Sequence, residues 1–480
     1  MAIRASPKLL QNLRHCNSAA AALPTLVENS DRCTSQSVIN FDDHGQRPFA
    51  SIPTNKLLNS YLNLQLVALD PVVDVGVRLV RSSLMENSFF RKAMLSMLKR
   101  TVYAHFCAGE DVEEAKRTLE GLWQDGLRGI LDYGLEDAVD NSGCDANLDE
   151  FLRTVEMASM LPANSVSFAC VKISAICPIS LLERVSDLLR WNQKNPYFDL
   201  PWQIDSLPIL SSSSPIYHTR SKPDNLTEAE EHDLQLARLR LSKLCQKCVE
   251  KKLPLLIDAE YTSIQPAIDY LTFSAAIRFN KEENPVVYGT IQAYLRDAKE
   301  RLVQATEVAE SMGVSMGFKL VRGAYITRET LLASSLGVAS PIHPSIQDTH
   351  SCYNDCASFM IEKIAGGYGS VVLATHNIGS GKVLAAKVDE LKIGRGNQRL
   401  QFAQLKGMAD GLSYGLRDAG FNVSKYLSFG PVEQVIPYLL RRAEENKGLL
   451  SSSSLDRQLI RMELKKRLKA AISGEPSTRS

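Results

Sequence analysis

Eight short apolar runs recur along the chain, separated by stretches of helical period, and no other feature restricts the fold so tightly. They are RGILDY (128–133), VSFACVKIS (166–174), PLLIDAE (254–260), VVYGTIQAY (286–294), GFKLVRGAY (317–325), SVVLATHN (370–377), QFAQLKGM (401–408) and VSKYLSFG (423–430). Most are near-continuous in apolar character, as parallel strands covered on both faces are. Between most of them lie helical stretches such as LTEAEEHDLQLARLRLSKLCQKCVEKK and YLRDAKERLVQATEVAESMG. Eight such units in one chain predict an α/β fold, a (β/α)8 TIM-type barrel. A doubly wound open sheet is the main alternative.

The flanks read differently. The first 35 residues hold Arg4, Lys8, Arg14 and His15, with no acid before Glu28. Leu9, Leu10, Leu13 and a set of alanines give them an apolar side, the pattern of an organelle transit peptide. Residues 36–125 form an N-terminal irregular and helical arm, loosely ordered over 36–75. Within it RKAMLSMLKRTVYAHFCAG ends at Gly109, and DVEEAKRTLEGLWQDG begins at an Asp N-cap and stops at Gly126. The barrel is expected over 126–450 and a helical tail over 451–480. Residues 191–225 are rich in Pro and Ser and lack helical period, which predicts a loop inserted between the second strand and its helix.

The totals exclude several classes. Among 480 residues the net charge is +1, so no broad pull toward nucleic acid follows. No run of 18 apolar residues occurs, and no spanning helix is expected. The ten cysteines include one C-x-x-C, Cys245 and Cys248, in a helical stretch without a second pair, so they read as core thiols. The eight histidines show no H-x-x-x-H, and no metal site is expected. NIGSGK (377–382) looks like a phosphate loop, but His376 and Val383 break the pattern. There is no G-x-G-x-x-G for a Rossmann site and no G-x-S-x-G for a serine hydrolase.

In a (β/α)8 barrel the chemistry gathers at the carboxyl ends of the strands. There the second run carries Lys172, the third Asp258 and Glu260, and the fourth Gln292. The fifth carries Lys319, then Arg322, Gly323 and Tyr325. The sixth carries Thr375, His376 and Asn377, the seventh Leu405 and Lys406, the eighth Tyr426. Lysines inside a barrel need partners. After the eighth run a helix is expected from Pro431, a favoured first position. Its Tyr438, Arg441, Arg442 and Glu445 share one polar face. Alone, that face would be solvated and hold an Arg441–Glu445 pair. Over the barrel mouth, its two guanidiniums fit a carboxylate.

GFKLVRGAY, with IDAE, TIQAY, ATHN and YLLRRAEEN in this order, resembles the proline dehydrogenase family, and the match covers residues 85–450. The leader and the insertion look most like the plant mitochondrial form. The resemblance implies a distorted barrel with FAD at the strand ends and no Rossmann domain. It implies oxidation of L-proline to Δ1-pyrroline-5-carboxylate by hydride transfer from C5 to flavin N5. Electrons would pass to a ubiquinone-type acceptor, with peripheral attachment to the matrix side of the inner mitochondrial membrane. FAD contacts would come from Gln292, Lys319, Val321, Gly323, Ala324, Thr375, His376, Asn377 and Glu445. Lys172, Arg441 and Arg442 would bind the carboxylate, and Asp258 would orient Lys172 and Tyr426. Tyr325, Leu405, Tyr426 and Tyr438 would wall the ring, and Tyr426 would press on a ring substituent, favouring plain proline over hydroxyproline. Bacterial relatives carry arginine where Lys319 stands and tryptophan where Ile326 stands. A barrel alone also admits a Schiff-base lyase using Lys172 or Lys319, or a non-catalytic ligand sensor.

Overall fold

A computed structural model describes Ile39, residues 47–448 and residues 450–473, without the side chains of Asp70, Val72 and 443–452. The chain divides into Met1–Ser37 and Val38–Ser480. The expected leader lies outside the described residues, and everything below concerns the second unit.

All eight apolar runs are strands: β1 (Arg128–Tyr133), β2 (Val166–Val171), β3 (Leu255–Ile257), β4 (Val287–Gln292), β5 (Gly317–Val321), β6 (Ser370–Ala374), β7 (Leu400–Leu405) and β8 (Val423–Phe429). They pair in chain order and in parallel. β1 closes on β8 from Arg128 opposite Ser424 to Tyr133 opposite Phe429. Closure removes the open-sheet alternative.

Alternation along each strand sorts its side chains. One phase, including Leu131, Val171, Ile257, Phe318, Leu373, Phe402 and Leu427, packs outward beneath the helices. The other fills the barrel with Ile130, Phe168, Cys170, Leu256, Tyr288, Val372, Ala403 and Tyr426. Toward the carboxyl ends this inner phase turns polar. Ile130 gives way to Asp132, Cys170 to Lys172 and Leu256 to Asp258, all buried. The floor of the barrel is therefore apolar and its mouth ionic.

Upstream of the barrel stand α1 (Thr54–Val67), α2 (Asp70–Val80) and α3 (Ser88–Leu98). α1 and the start of α2 occupy ground expected to be loosely ordered. Leu57 and Leu64 bury one edge of α1, and Pro71 suits the first turn of α2. α4 (Val112–Gln124) opens at Asp111, whose carboxylate accepts from the Glu114 N–H at 2.8 Å, the expected N-cap. α5 (Asn141–Ser159) joins β1 to β2.

Two helices, rather than one, follow β2: α6 (Ile179–Lys194) and α7 (Glu228–Lys251). The insertion therefore comes after the first helix, and residues 191–194 complete α6. It is tied down by its serines. Ser212 and Ser213 donate to Glu300, and Ser214 donates to Asp297 at 2.5 Å. Cys245 and Cys248 are buried thiols within α7.

The rest of the chain supplies α8 (Gln265–Phe279), α9 (Ala298–Ser311), α10 (Ile326–Leu336), α11 (Ile346–Ala365), α12 (Ile378–Glu390), α13 (Asp410–Asp418), α14 (Ile436–Gly448) and α15 (Leu450–Ser473). α14 begins at Ile436 and not at the expected Pro431. The Pro431 carbonyl instead closes a turn with the N–H groups of Gln434 and Val435, and Pro437 takes the proline-tolerant first turn. α13 has no capping side chain at its own start. Asp456 of α15 fills that role, accepting from the N–H groups of Asp410 and Gly411 at 2.9 Å each.

Candidate active site

Asp258, at the end of β3, organises the barrel mouth. Its carboxylate takes an ion pair from Lys319 of β5, another from Lys172 at 3.3 Å, and the Tyr426 hydroxyl of β8 at 2.8 Å. Cys170 adds an S–H donor at 3.1 Å. On its other side Lys172 reaches Asp132 of β1 at 3.3 Å. Burial would raise the Asp258 carboxyl, but Lys319 and Lys172 outweigh it and hold it below the usual carboxylate range. The two lysines face the converse balance. Burial opposes their charge, and the neighbouring carboxylates keep both protonated. Burial pushes Asp132 up, only partly offset by Lys172. Ammonium ions held this firmly have no lone pair to attack a carbonyl, which removes the support for a Schiff-base lyase.

Asp132, Cys170 and Asp258 place ligand atoms within 4.8 Å of one another. The two ammonium groups already meet the charge of that trio, so its chemistry is ion pairing.

Helix α14 closes over this cluster. Arg441 reaches back to Glu136, in the loop after β1, with contacts of 2.9 and 3.1 Å. Glu136 is thus one partner of Arg441, and the Glu445 of the locally expected pair has its side chain outside the described residues. Burial would raise Glu136, yet the Arg441 hydrogen bond and charge hold it low. The Arg441 guanidinium also lies 5.6 Å over the Tyr325 ring, and Arg442 lies 5.0 Å over Tyr438. An open cavity lined by Glu136, Glu260, Tyr261, Tyr325, Arg328 and Arg441 leads to this lid. Lys172, Asp258, Lys319, Tyr426 and Arg442 are all buried. Tyr438 packs in a roof with Tyr103, Met408 and Val435, and Leu405 lies between that roof and the barrel interior.

A second polar group runs along the ends of β4–β6. The buried Gln292 donates to the Glu260 carbonyl at 2.7 Å. Arg322 holds Thr375 and Ser380 at 2.7 Å and His350 at 2.9 Å, and it stacks 4.3 Å over Tyr353. Asn377 caps α12 by accepting from the Ser380 N–H at 2.8 Å. His376 accepts from the Leu405 N–H at 3.1 Å, and burial, with Lys425 and the guanidiniums of Arg442 and Arg322, lowers it to about 3, so it stays neutral. Val321 ends β5, and Arg322 and Ala324 flank Gly323, whose φ of +132° needs glycine. A Cβ there would meet the Tyr294 ring at 2.4 Å. Cations, amides and a helix N-terminus in one row suit an extended cofactor carrying anionic groups. Ile326 is half-exposed at the start of α10 and offers no aromatic face.

The structure thus gathers Lys172, Asp258, Lys319, Tyr426, Arg441 and Arg442 at one end of the barrel, with Gln292, Thr375, His376 and Asn377 along the neighbouring strand ends. Asp132, Glu136 and the anchoring role of Arg322 are absent from the sequence expectations. Asp132 shares the strand phase of Ile130, so parity in RGILDY marks it. Glu136 lies in a loop with no period, and nothing in the sequence signals it.

A family model described as proline dehydrogenase matches residues 115–455. The chain is 54% identical over 430 residues to proline dehydrogenase 1, mitochondrial, of Arabidopsis thaliana, covering 89% of this chain and 86% of that one. It is 52% identical over 427 residues to proline dehydrogenase 2, mitochondrial, of the same plant, covering 88% and 90%. Among solved structures, proline utilization A from Bdellovibrio bacteriovorus, inactivated by N-propargylglycine, superposes with a TM-score of 0.57 at 19% identity. That match covers 82% of this chain and 37% of that one, and it shows the shared barrel fold.

Proposed function

The chain belongs to the proline dehydrogenase family, an enzyme of the first step of proline catabolism, and from that premise we propose how its residues perform the oxidation of proline. L-proline enters past Glu136 and Arg441 and loses a hydride from C5 and its amine proton to water, giving Δ1-pyrroline-5-carboxylate. FAD held along the ends of β4–β6 would supply the hydride acceptor, and a quinone of the respiratory chain would take the electrons onward. Gln292, Lys319, Val321, Gly323, Ala324, Thr375, His376, Asn377 and Glu445 hold the cofactor. The mitochondrial names of the plant relatives support a mitochondrial enzyme, and we place it on the matrix side of the inner membrane.

Lys172, Arg441 and Arg442 take the substrate carboxylate. Paired guanidinium N–H groups fix its direction, which sets the distance of C5 from the hydride acceptor. Asp258 orients Lys172 and Tyr426, and Tyr325, Leu405, Tyr426 and Tyr438 wall the ring. The amine must be neutral to release its lone pair as the hydride leaves. Arg442 adds positive charge beyond the two ammonium groups that Asp132 and Asp258 pair, and this disfavours a protonated amine while attracting the carboxylate.

The observation that carries this reading is the buried Lys172–Asp258–Lys319 group with Tyr426, set beneath a lid that brings arginines. Anaerobic addition of L-proline to the purified flavoprotein tests it. Bleaching of the flavin absorbance is expected. A flavin that binds yet stays oxidised would leave a sensor, and covalent trapping of a lysine by borohydride without a flavin spectrum would leave a lyase.

A further inference from the structure

We propose that the solvent-facing apolar side of α1–α3, with the adjoining α15, is the surface on which this enzyme seats against an anionic lipid bilayer. The inference rests on the peripheral attachment proposed above and identifies the face that makes it.

A helix that packs by one stripe turns polar residues to water. α1 does not. Leu57 and Leu64 are buried, yet Leu58, Leu62 and Leu66, at intervals of four, are 48%, 65% and 37% exposed. α3 repeats the pattern. Met94 is buried, while Phe89 and Met97, on one face with Ala93, are 83% and 51% exposed. Leu69, Val75 and Leu84 are exposed between them. Single exposed apolar residues are ordinary, but two such ladders within one short arm exceed that scatter and point to a covered face. α15 is bonded to the start of α1 through Arg467 and Thr54, and it adds exposed Leu468 and Ile472.

Charge selects the occupant. Residues 54–100 hold seven Lys/Arg and three Asp/Glu, and 450–473 hold six and two, in a chain whose net charge is only +1. Lys92, Arg100, Lys465, Lys466 and Lys469 are exposed around the apolar residues. Apolar ladders flanked by cations match the interface of an anionic bilayer, where each nearby cation contributes about 1 kcal/mol. Among the described residues no helix is long and apolar enough to cross a membrane, so the contact lies in the surface plane.

Flotation of the full flavoprotein with vesicles tests this, using phosphatidylcholine alone and phosphatidylcholine with cardiolipin. Two double variants are compared, Leu58→Asp with Leu62→Asp, and Lys92→Glu with Arg100→Glu. The second leaves every apolar contact in place, so its result does not depend on refolding of α1. The native chain should float with cardiolipin vesicles only. Each variant should lower the bound fraction at least about tenfold, with unchanged proline oxidation by a soluble dye. A native chain that ignores anionic vesicles would remove the attachment itself. A native chain that binds, with both variants binding equally, would keep attachment and overturn this face. Conversion of a larger assembly to monomer by the leucine variant, with flotation intact, would assign the face to a second copy and also overturn the proposal.

Discussion

Arg441 meets Glu136 through two contacts, of 2.9 and 3.1 Å, and so ties α14 to the loop after β1 across the mouth of the barrel. In the proposed binding mode a substrate carboxylate would compete with Glu136 for that guanidinium, and the pair would loosen for proline to pass. Paired donation needs the planar fork of arginine, which lysine lacks. Arg441→Lys and Arg442→Lys should each raise KM for proline about 10–100-fold, the effect of roughly 1.5–3 kcal/mol lost from a charged hydrogen bond, with flavin content unchanged. Steady-state kinetics with flavin quantitation checks this. A native KM in both variants would remove the arginines from the substrate site.

Asp258 balances two buried ammonium groups at once. Asp258→Asn keeps the shape and deletes the charge, leaving Lys172 and Lys319 facing each other with less compensation. Breaking a buried pair in this way costs about 3–5 kcal/mol, so the thermal midpoint should fall and kcat should drop with it. An unfolding curve that overlays the native one would show that the cluster carries little stability.

Glu260 is fully buried and bonds to Ser174 rather than to a cation. Burial pushes its carboxyl up to about 7, above the ordinary 4.5, and the Ser174 bonds only partly restrain it. The folded chain therefore keeps a proton that the unfolded chain has released between those values. Its stabilising effect is complete below pH 4.5 and is lost as pH rises through 7. Glu260→Gln should flatten the fall of stability between pH 5 and 7.5, by on the order of 2–3 kcal/mol relative to the native chain. Urea unfolding at both pH values measures it, and parallel curves would refute it.

Gly323 combines φ of +132° with a Tyr294 ring where a Cβ would stand. Gly323→Ala meets both penalties. The ring is buried and cannot swing aside at low cost, so the variant should lose roughly 2–4 kcal/mol and retain little flavin. Calorimetry and the absorbance ratio of the purified variant test it. Full flavin occupancy with native stability would show that the segment relaxes.

With Tyr426 walling the ring as proposed and its hydroxyl tied to Asp258 at 2.8 Å, plain proline should be oxidised in preference to hydroxyproline. Comparable kcat/KM for the two substrates would overturn this.

The barrel was legible because each strand announces itself twice, by an apolar run and by the polar residue that ends it. RGILDY and GFKLVRGAY show this at β1 and β5. Lys172, Asp258 and Lys319 could be read as neighbours because strand parity and barrel closure bring successive strand ends together. Long-range pairings escaped. Glu136 meets Arg441 across a separation of 305 residues, and the local candidate Glu445 stood nearer in sequence. The start of α14 escaped because Pro431 and Pro437 both suit a first turn. α1 escaped because its leucines bury one edge and expose another, which blurs the single stripe on which a helical reading depends.

The capping of α13 by Asp456 is one of several contacts between distant segments. Arg47 pairs with Glu463 at 3.0 Å, and Arg467 holds the carbonyls of Phe49, Ala50 and Ile52. A strand sequence that zips from β1 onward would, without them, be free to mature as it is synthesised. These clasps delay it: β1 lacks one of its two neighbours until β8 arrives, and the start of the amino-terminal arm lacks these partners until α15 does. The closed barrel and its arm are consequently joined by contacts of high sequence separation, which slow folding. A ribosome-tethered chain that ends before Asp456 should remain protease-sensitive in its arm however long it is given to fold.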